Sequence, residues 1–142
     1  MTPRHLYVHV PFCARRCAYC DFSIAVRARV PVDDYLDGLA GELDLRLGAP
    51  PPPAARAVVD TIYFGGGTPS RLGGEGIAGA LSLLQRWVRP AHGAEVTVEA
   101  NPDDVDAVAI EAWRAAGVNR LSLGGQTFSP PALAWMRRTH TV

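Results

Sequence analysis

HLYVHVPFCARRCAYC, residues 5–20, joins a short alternating segment directly to three cysteines. The alternation over residues 5–10, with its Val and Tyr content, predicts a β-strand. Cys13, Cys17 and Cys20 follow in a loop that Pro11 begins. Chemically active side chains placed just after a strand are typical of α/β folds, whose sites form at the carboxyl ends of the strands.

One helix is predicted to follow this stretch, and three further strand-and-helix pairs are predicted after it. Strands are expected at 58–64, 95–100 and 119–123, and helices at 32–47, 76–88, 105–116 and 131–138; residues 48–55, with their consecutive prolines, are expected to form an exposed loop. The alternating order predicts an α/β protein with parallel strands. A doubly wound sheet and part of a (β/α) barrel both fit. An open half-barrel exposes its strand edges, so we expect about four βα units belonging to a longer barrel, with the C-terminal half absent.

Composition narrows the class of protein. The 142 residues suit one domain, and 14 basic residues balance 14 acidic ones. This balance gives no electrostatic basis for nucleic-acid binding. No membrane span and no secretion signal are recognisable, so a cytoplasmic location is expected. Thiols stay reduced there, which favours metal binding over a disulfide for the three cysteines.

The cysteine spacing C-x₃-C-x-aromatic-C, with Tyr19 as the aromatic residue, favours a [4Fe–4S] cluster. Three thiolates leave one iron of such a cluster without a protein ligand. That iron can bind the amino and carboxylate groups of S-adenosylmethionine (SAM), whose reductive cleavage gives a 5′-deoxyadenosyl radical. Arg15 and Arg16 can favour the thiolate forms. The alternatives are a structural zinc site, for which His9 is the nearby candidate for a fourth ligand, and cysteines that are buried without a metal.

Several ordered motifs together resemble one family. They are LYVHVPFC at 6–13, the cysteine triplet, GGGTPS at 65–70, EANP at 99–102 and GVNRLSLG at 117–124, continued by Gln126, Phe128, Arg138 and His140. The set resembles radical SAM proteins related to oxygen-independent coproporphyrinogen III oxidase. The resemblance implies a partial TIM-like barrel and identifies residues 1–142 as the N-terminal part of a radical SAM core.

The resemblance also implies site residues. Cys13, Cys17 and Cys20 would hold the cluster, and the residues contacting SAM would be Tyr7, Tyr19, Gly66, Gly67, Thr68, Glu99, Gln126 and Arg138. Most of these SAM contacts have a simpler alternative. The glycines can form a tight turn, the tyrosines can pack in the core, Glu99 can form a salt bridge and Arg138 can be a solvated helical residue.

The continuation after Cys20 separates two branches of this family. The oxidase branch has a fourth cysteine two residues after the triplet, whereas this chain continues Asp21-Phe22-Ser23. The continuation resembles the haem chaperone branch, which implies haem as cargo, haem-accepting client proteins and an electron donor such as flavodoxin or ferredoxin. Gly125 departs from the family's usual valine, and the family's haem-related segment would follow Val142. Oxidase activity and a small zinc-binding module remain the alternatives, so whether the protein is an enzyme stays open.

Overall fold

A computed structural model describes residues 4–142 of the chain. The elements, in chain order, are β1 (His5–Val10), β2 (Phe12–Cys13), β3 (Ala25–Val26), α1 (Val32–Leu47), β4 (Ala57–Gly66), α2 (Gly73–Leu84), β5 (Val88–Ala100), α3 (Ala107–Ala115), β6 (Arg120–Leu123) and α4 (Pro130–Trp135). Short 3₁₀ turns lie at Pro53–Ala55, Pro69–Leu72 and Pro102–Asp104.

Four strands form one parallel sheet in the order β1-β4-β5-β6. Each neighbouring pair along the sheet is also consecutive among these four strands in the chain, with a helix in each connection. The predicted α/β class and the parallel arrangement are confirmed. The carboxyl ends of the strands, where the predicted motifs lie, therefore share one edge of the sheet.

The two faces of this sheet have opposite character. Register pairs Val8 with Phe64 and Ile62 with Val96, and all four side chains are buried. We call this side the apolar face, formed by Val8, Val10, Ile62, Phe64, Val96 and Val98. The alternate residues form the polar face, namely His5, Tyr7, Thr61, Tyr63, Thr97, Glu99, Arg120 and Ser122.

All three long connections pack on the apolar face. Leu43 of α1, Ile77 of α2 and Trp113 of α3 join one hydrophobic cluster with the strand residues of that face. Helices on a single face are the arrangement of a barrel wall, whereas a doubly wound sheet carries helices on both faces. The structure thus selects the barrel type from the two topologies that the sequence allowed.

Helix ends follow local chemistry. Asp33 and Asp34 occupy the first turn of α1, where carboxylates interact favourably with the helix dipole. The carboxylate of Asp106 caps α3 by accepting a hydrogen bond from Ala109 N at 2.7 Å. Gly117 follows that helix with φ 102°, a conformation that favours glycine.

Several predicted boundaries are wrong. Helix α2 ends at Leu84 and not at 88, because Trp87 is buried in a turn and Val88 is the buried first residue of a longer β5. Trp87 is held there by its indole N–H, which donates to Gly48 O at 2.7 Å.

Helix α4 ends at Trp135, so Arg138 is not helical. The loop at 48–55 also contains the 3₁₀ turn Pro53–Ala55. None of the helices within residues 4–142 is long and apolar enough to cross a membrane.

Candidate functional site

A cavity of about 640 Å³ lies at the carboxyl-end edge of the sheet. This volume is within the range of small-molecule sites. The segments that follow β1, β4, β5 and β6 all contribute to its lining. Every predicted site residue lines it except Tyr7: these residues are Cys13, Cys17, Tyr19, Cys20, Gly66, Gly67, Thr68, Glu99, Gln126 and Arg138.

The three cysteines are free thiols on one wall of this cavity. Cys13 is buried, and its Sγ accepts a hydrogen bond from Thr68 Oγ1 at 3.4 Å. Burial raises the pKa of the Cys13 thiol, while the hydrogen bond from Thr68 and the positive charge of Arg16 act to lower it. Within residues 4–142, no three His, Cys, Asp or Glu side chains gather around one point as ligands of a single ion.

The cysteine loop is closed by a short parallel ladder that the sequence did not reveal. Ala25 N donates to Pro11 O and Arg27 N to Cys13 O, both at 2.9 Å, which joins β2 to β3. The guanidinium of Arg71 donates to the carbonyls of Arg27 and Ala28 at 3.2 and 2.9 Å. Because two-residue strands carry no periodic signal, only the structure shows how this loop is anchored.

The glycine run permits close approach between strands. A Cβ on Gly66 would lie 2.7 Å from His9 Cε1, and its φ of 120° also favours glycine. A Cβ on Gly67 would lie 2.7 Å from Pro11 O. Both residues line the cavity. Because they have no side chains, the chain can turn there and their backbone groups border the site.

Glu99 presents a carboxylate that two protein donors hold. Tyr63 OH donates to its Oε1 at 2.7 Å, and Gly66 N donates to its Oε2 at 3.1 Å. The ion pairs found within residues 4–142 do not include Glu99, so the salt bridge considered from sequence is not formed there. Each carboxylate oxygen of Glu99 therefore has one protein donor.

Arg138 connects three segments of the cavity. Its guanidinium donates to Asn101 Oδ1 at 2.7 Å and to Gly124 O at 2.5 Å, and Nη1 lies 3.8 Å from Cys17 Sγ. Its Nε is buried without a hydrogen-bond partner in the part of the chain that the structure describes. The alternative of a solvated helical arginine is therefore wrong.

The remaining predicted residues differ in position. Tyr19 lines the cavity, and Gln126 does so with a positive φ of 66°. Tyr7 lies on the polar face outside the lining. Its ring stacks on Tyr63 with centroids 6.1 Å apart, and its hydroxyl is 3.2 Å from His9 Nδ1.

Sequence reasoning assigned no individual role to Tyr63, Asn101 and Arg71. Tyr63 was predictable in principle, because alternation along 58–64 and 95–100 places it on the same face as Glu99. Asn101 lies in a loop and Arg71 in a 3₁₀ turn, and such segments have no periodic pattern in the sequence.

Comparison with known proteins places this site in a family. The model of the radical SAM superfamily matches residues 7–142, and the chain belongs to that superfamily. Its members use a [4Fe–4S] cluster and SAM, as the motifs predicted.

Curated relatives carry a narrower name. The chain is 40% identical over 141 residues to "Heme chaperone HemW" of Escherichia coli (strain K12), covering 99% of this chain and 36% of that protein. It is 42% identical over 145 residues to the protein of the same name from Mycobacterium tuberculosis (strain CDC 1551 / Oshkosh), covering 98% and 35%. The chain thus spans about a third of the length of these relatives.

A solved structure matches the fold. It is described as "Coproporphyrinogen III oxidase (HemN) from Escherichia coli is a Radical SAM enzyme". The TM-score is 0.83 at 32% identity, covering 98% of this chain and 31% of that one. The predicted radical SAM fold and the resemblance to the haem chaperone branch are confirmed.

Proposed function

We propose that residues 1–142 form the N-terminal part of a radical SAM core in a cytoplasmic protein that binds haem and delivers it to client proteins. Cys13, Cys17 and Cys20 would hold the [4Fe–4S] cluster, and the neighbouring cavity would bind SAM. The observation that carries this proposal is that three free thiols, a carboxylate held by two hydrogen bonds and a half-buried arginine all border one cavity.

The donor set fits a cluster. Thiolates are the usual ligands of iron–sulfur clusters, and all three face the same cavity from one short loop. The Thr68 hydroxyl donates to Cys13, and the Arg138 guanidinium lies beside Cys17. Both contacts stabilise negative charge on sulfur. When bound, the cluster supplies the electron that cleaves SAM.

The other residues suit the polar groups of SAM. Glu99 accepts hydrogen bonds only, so its remaining lone pairs fit an ammonium or hydroxyl donor. Gly66 and Gly67 bring backbone groups to the cavity wall, and Thr68, Tyr19 and Gln126 border the same space. Arg138 fixes the loops around it through Asn101 and Gly124.

The haem role is supported by two observations. Asp21-Phe22-Ser23 stands where the oxidase branch has a fourth cysteine, and the curated relatives are named haem chaperones. The proposal includes haem as cargo, haem-accepting proteins as partners and a flavodoxin or ferredoxin as electron donor. It includes no nucleic-acid partner.

Anaerobic reconstitution tests the cluster and SAM sites. We expect iron and sulfide in a 1:1 ratio, and an electron paramagnetic resonance signal of the reduced cluster that changes when SAM is added. Cys20→Ser should lose the cluster, whereas Ser23→Ala, in the same loop, should retain it. Zinc uptake without sulfide would contradict the proposal and favour the zinc module.

Haem binding needs its own experiment. The reconstituted protein is titrated with haem without oxygen and then mixed with an apo-haemoprotein. We expect saturable binding followed by transfer, which absorbance spectra report. A full-length relative gives the reference, and absence of haem binding in both would overturn the haem role.

The second candidate is an oxygen-independent coproporphyrinogen III oxidase, which the fold match with that enzyme favours. Incubation with coproporphyrinogen III, SAM and a reductant tests it. Formation of the divinyl product with stoichiometric SAM cleavage would establish this activity in place of haem transfer.

A further inference from the structure

We propose that Tyr63 is a positioning residue for SAM binding, because its hydroxyl fixes the orientation of the Glu99 carboxylate. This inference rests on the proposed function of the cavity. Tyr63 does not line that cavity, so it acts through Glu99. No sequence motif singled it out.

The geometry around Glu99 determines the carboxylate's direction. Its two oxygens accept from donors on different residues, Tyr63 OH at 2.7 Å and Gly66 N at 3.1 Å. One donor alone would leave the carboxylate free to rotate about its last bond. Two donors, one per oxygen, fix its plane and direct the remaining lone pairs.

The ring of Tyr63 is itself held in place. Tyr7 stacks on it with an interplanar angle of 16°, and Tyr7 OH lies 3.2 Å from His9 Nδ1. Gly65 makes room for both rings, because a Cβ there would lie 2.8 Å from Tyr7 Cε2 and 2.9 Å from Tyr63 Cε1. The first glycine of the run thus accommodates the tyrosine pair, whereas the second and third border the cavity.

Tyr7, which the resemblance predicts to contact SAM, is not among the residues that line the cavity and packs on the ring of Tyr63. Its contact with SAM stays a prediction. Its influence on the site would pass through the Tyr63 ring to the Glu99 carboxylate. The hydrogen bond to Glu99 is also the largest cause of the raised pKa of the Tyr63 phenol.

A conservative variant isolates the hydroxyl. Tyr63→Phe keeps the ring that stacks on Tyr7 and removes only the donor to Glu99. Tyr35→Phe is the matched control, since Tyr35 OH donates to His9 O at 3.0 Å and has no hydrogen bond to Glu99. Both variants are reconstituted with the cluster, and their SAM dissociation constants are measured from the change in the cluster's magnetic resonance signal.

We expect Tyr63→Phe to weaken SAM binding about 3- to 10-fold with unchanged iron content, which is less than the full value of a hydrogen bond to a charged group because Tyr63 acts on SAM only through Glu99. Tyr35→Phe should leave SAM affinity unchanged. In a Glu99→Gln background the effect of Tyr63→Phe should shrink, because the two residues act as a unit. Equal SAM affinities for Tyr63→Phe and the unsubstituted chain would overturn the proposal.

A second measurement needs no cofactor. Ultraviolet titration of the tyrosines, compared between the unsubstituted chain and Tyr63→Phe, gives the Tyr63 transition. Glu99→Gln should lower the pKa of that transition, and an unchanged value would contradict the pairing. If the chain takes up no cluster or no SAM, the proposed function is contradicted. The SAM affinities and the tyrosine titration test the role of Tyr63 itself.

Discussion

The two faces of the four-stranded sheet use the same strands for different purposes. On the apolar face, Ile62, Phe64 and Val98 are fully buried beneath the helices. On the polar face, Tyr63 OH donates a hydrogen bond to Glu99, while Tyr7 is 60% exposed. Because strand residues alternate between faces, each strand contributes to stability and to the site at once. Stability and ligand binding should therefore respond separately to substitutions one residue apart.

The largest expected effect comes from adjacent residues of β4. Ile62→Ala removes a fully buried side chain from the apolar face and should lower the free energy of unfolding by about 2–5 kcal/mol. Thr61→Ala, on the polar face, removes a hydroxyl 3.0 Å from His5 Nδ1 and should cost about 1 kcal/mol or less. Urea unfolding followed by circular dichroism measures both, and equal losses would contradict the division between the faces.

Two glycines at the carboxyl-end edge of the sheet give a second comparison, between a crowded position and an open one. Gly67→Ala places a Cβ 2.7 Å from Pro11 O, a backbone atom that cannot easily move, and should destabilise the chain by about 1–3 kcal/mol. Gly125→Ala is the control, because nothing lies within 4 Å of a Cβ there. It should change the free energy of unfolding by about 0.5 kcal/mol or less. Similar melting temperatures for the two variants would argue against the close approach at Gly67.

An arginine substitution should affect binding more than folding. Arg138→Lys keeps the positive charge, but a single ammonium group cannot occupy both the Nη1 position beside Cys17 and the Nη2 position that donates to Asn101 and Gly124. We expect SAM affinity to fall about tenfold, equivalent to about 1.4 kcal/mol. The control Arg114→Lys changes an exposed arginine on α3 and should have no effect. Isothermal titration of the reconstituted protein with SAM measures this, and equal affinities would remove Arg138 from the binding site.

Features that follow a local pattern could be predicted from the sequence, and features that depend on contacts between distant segments could not. Alternation located all four main strands, and the cysteine, glycine and EANP motifs located about half of the cavity lining. The end of α2 was wrong because Trp87 and Val88 satisfy a helical spacing, although the burial of both residues and the Trp87 hydrogen bond to Gly48 place them in a turn and a strand. A local pattern predicted a helix over 131–138 that includes Arg138. The structure instead holds Arg138 through three partners in distant segments, which no local pattern encodes.

The smallest expected effect is a pH dependence on the polar face. The pKa of the Tyr63 phenol is raised above its ordinary value of 10.0, first by the hydrogen bond to Glu99 and then by burial. The folded chain therefore keeps the phenol proton more tightly than the unfolded chain does. The associated stability is present below about pH 10 and is lost as pH rises through the folded pKa.

Between pH 9 and 11 the urea midpoint of the unsubstituted chain should fall slightly more than that of Tyr63→Phe. The other tyrosines are common to both proteins, so they cancel in the difference. Parallel midpoints over this range would mean that ionisation of Tyr63 is not linked to folding, and that the Tyr63–Glu99 hydrogen bond adds little to the stability of the polar face.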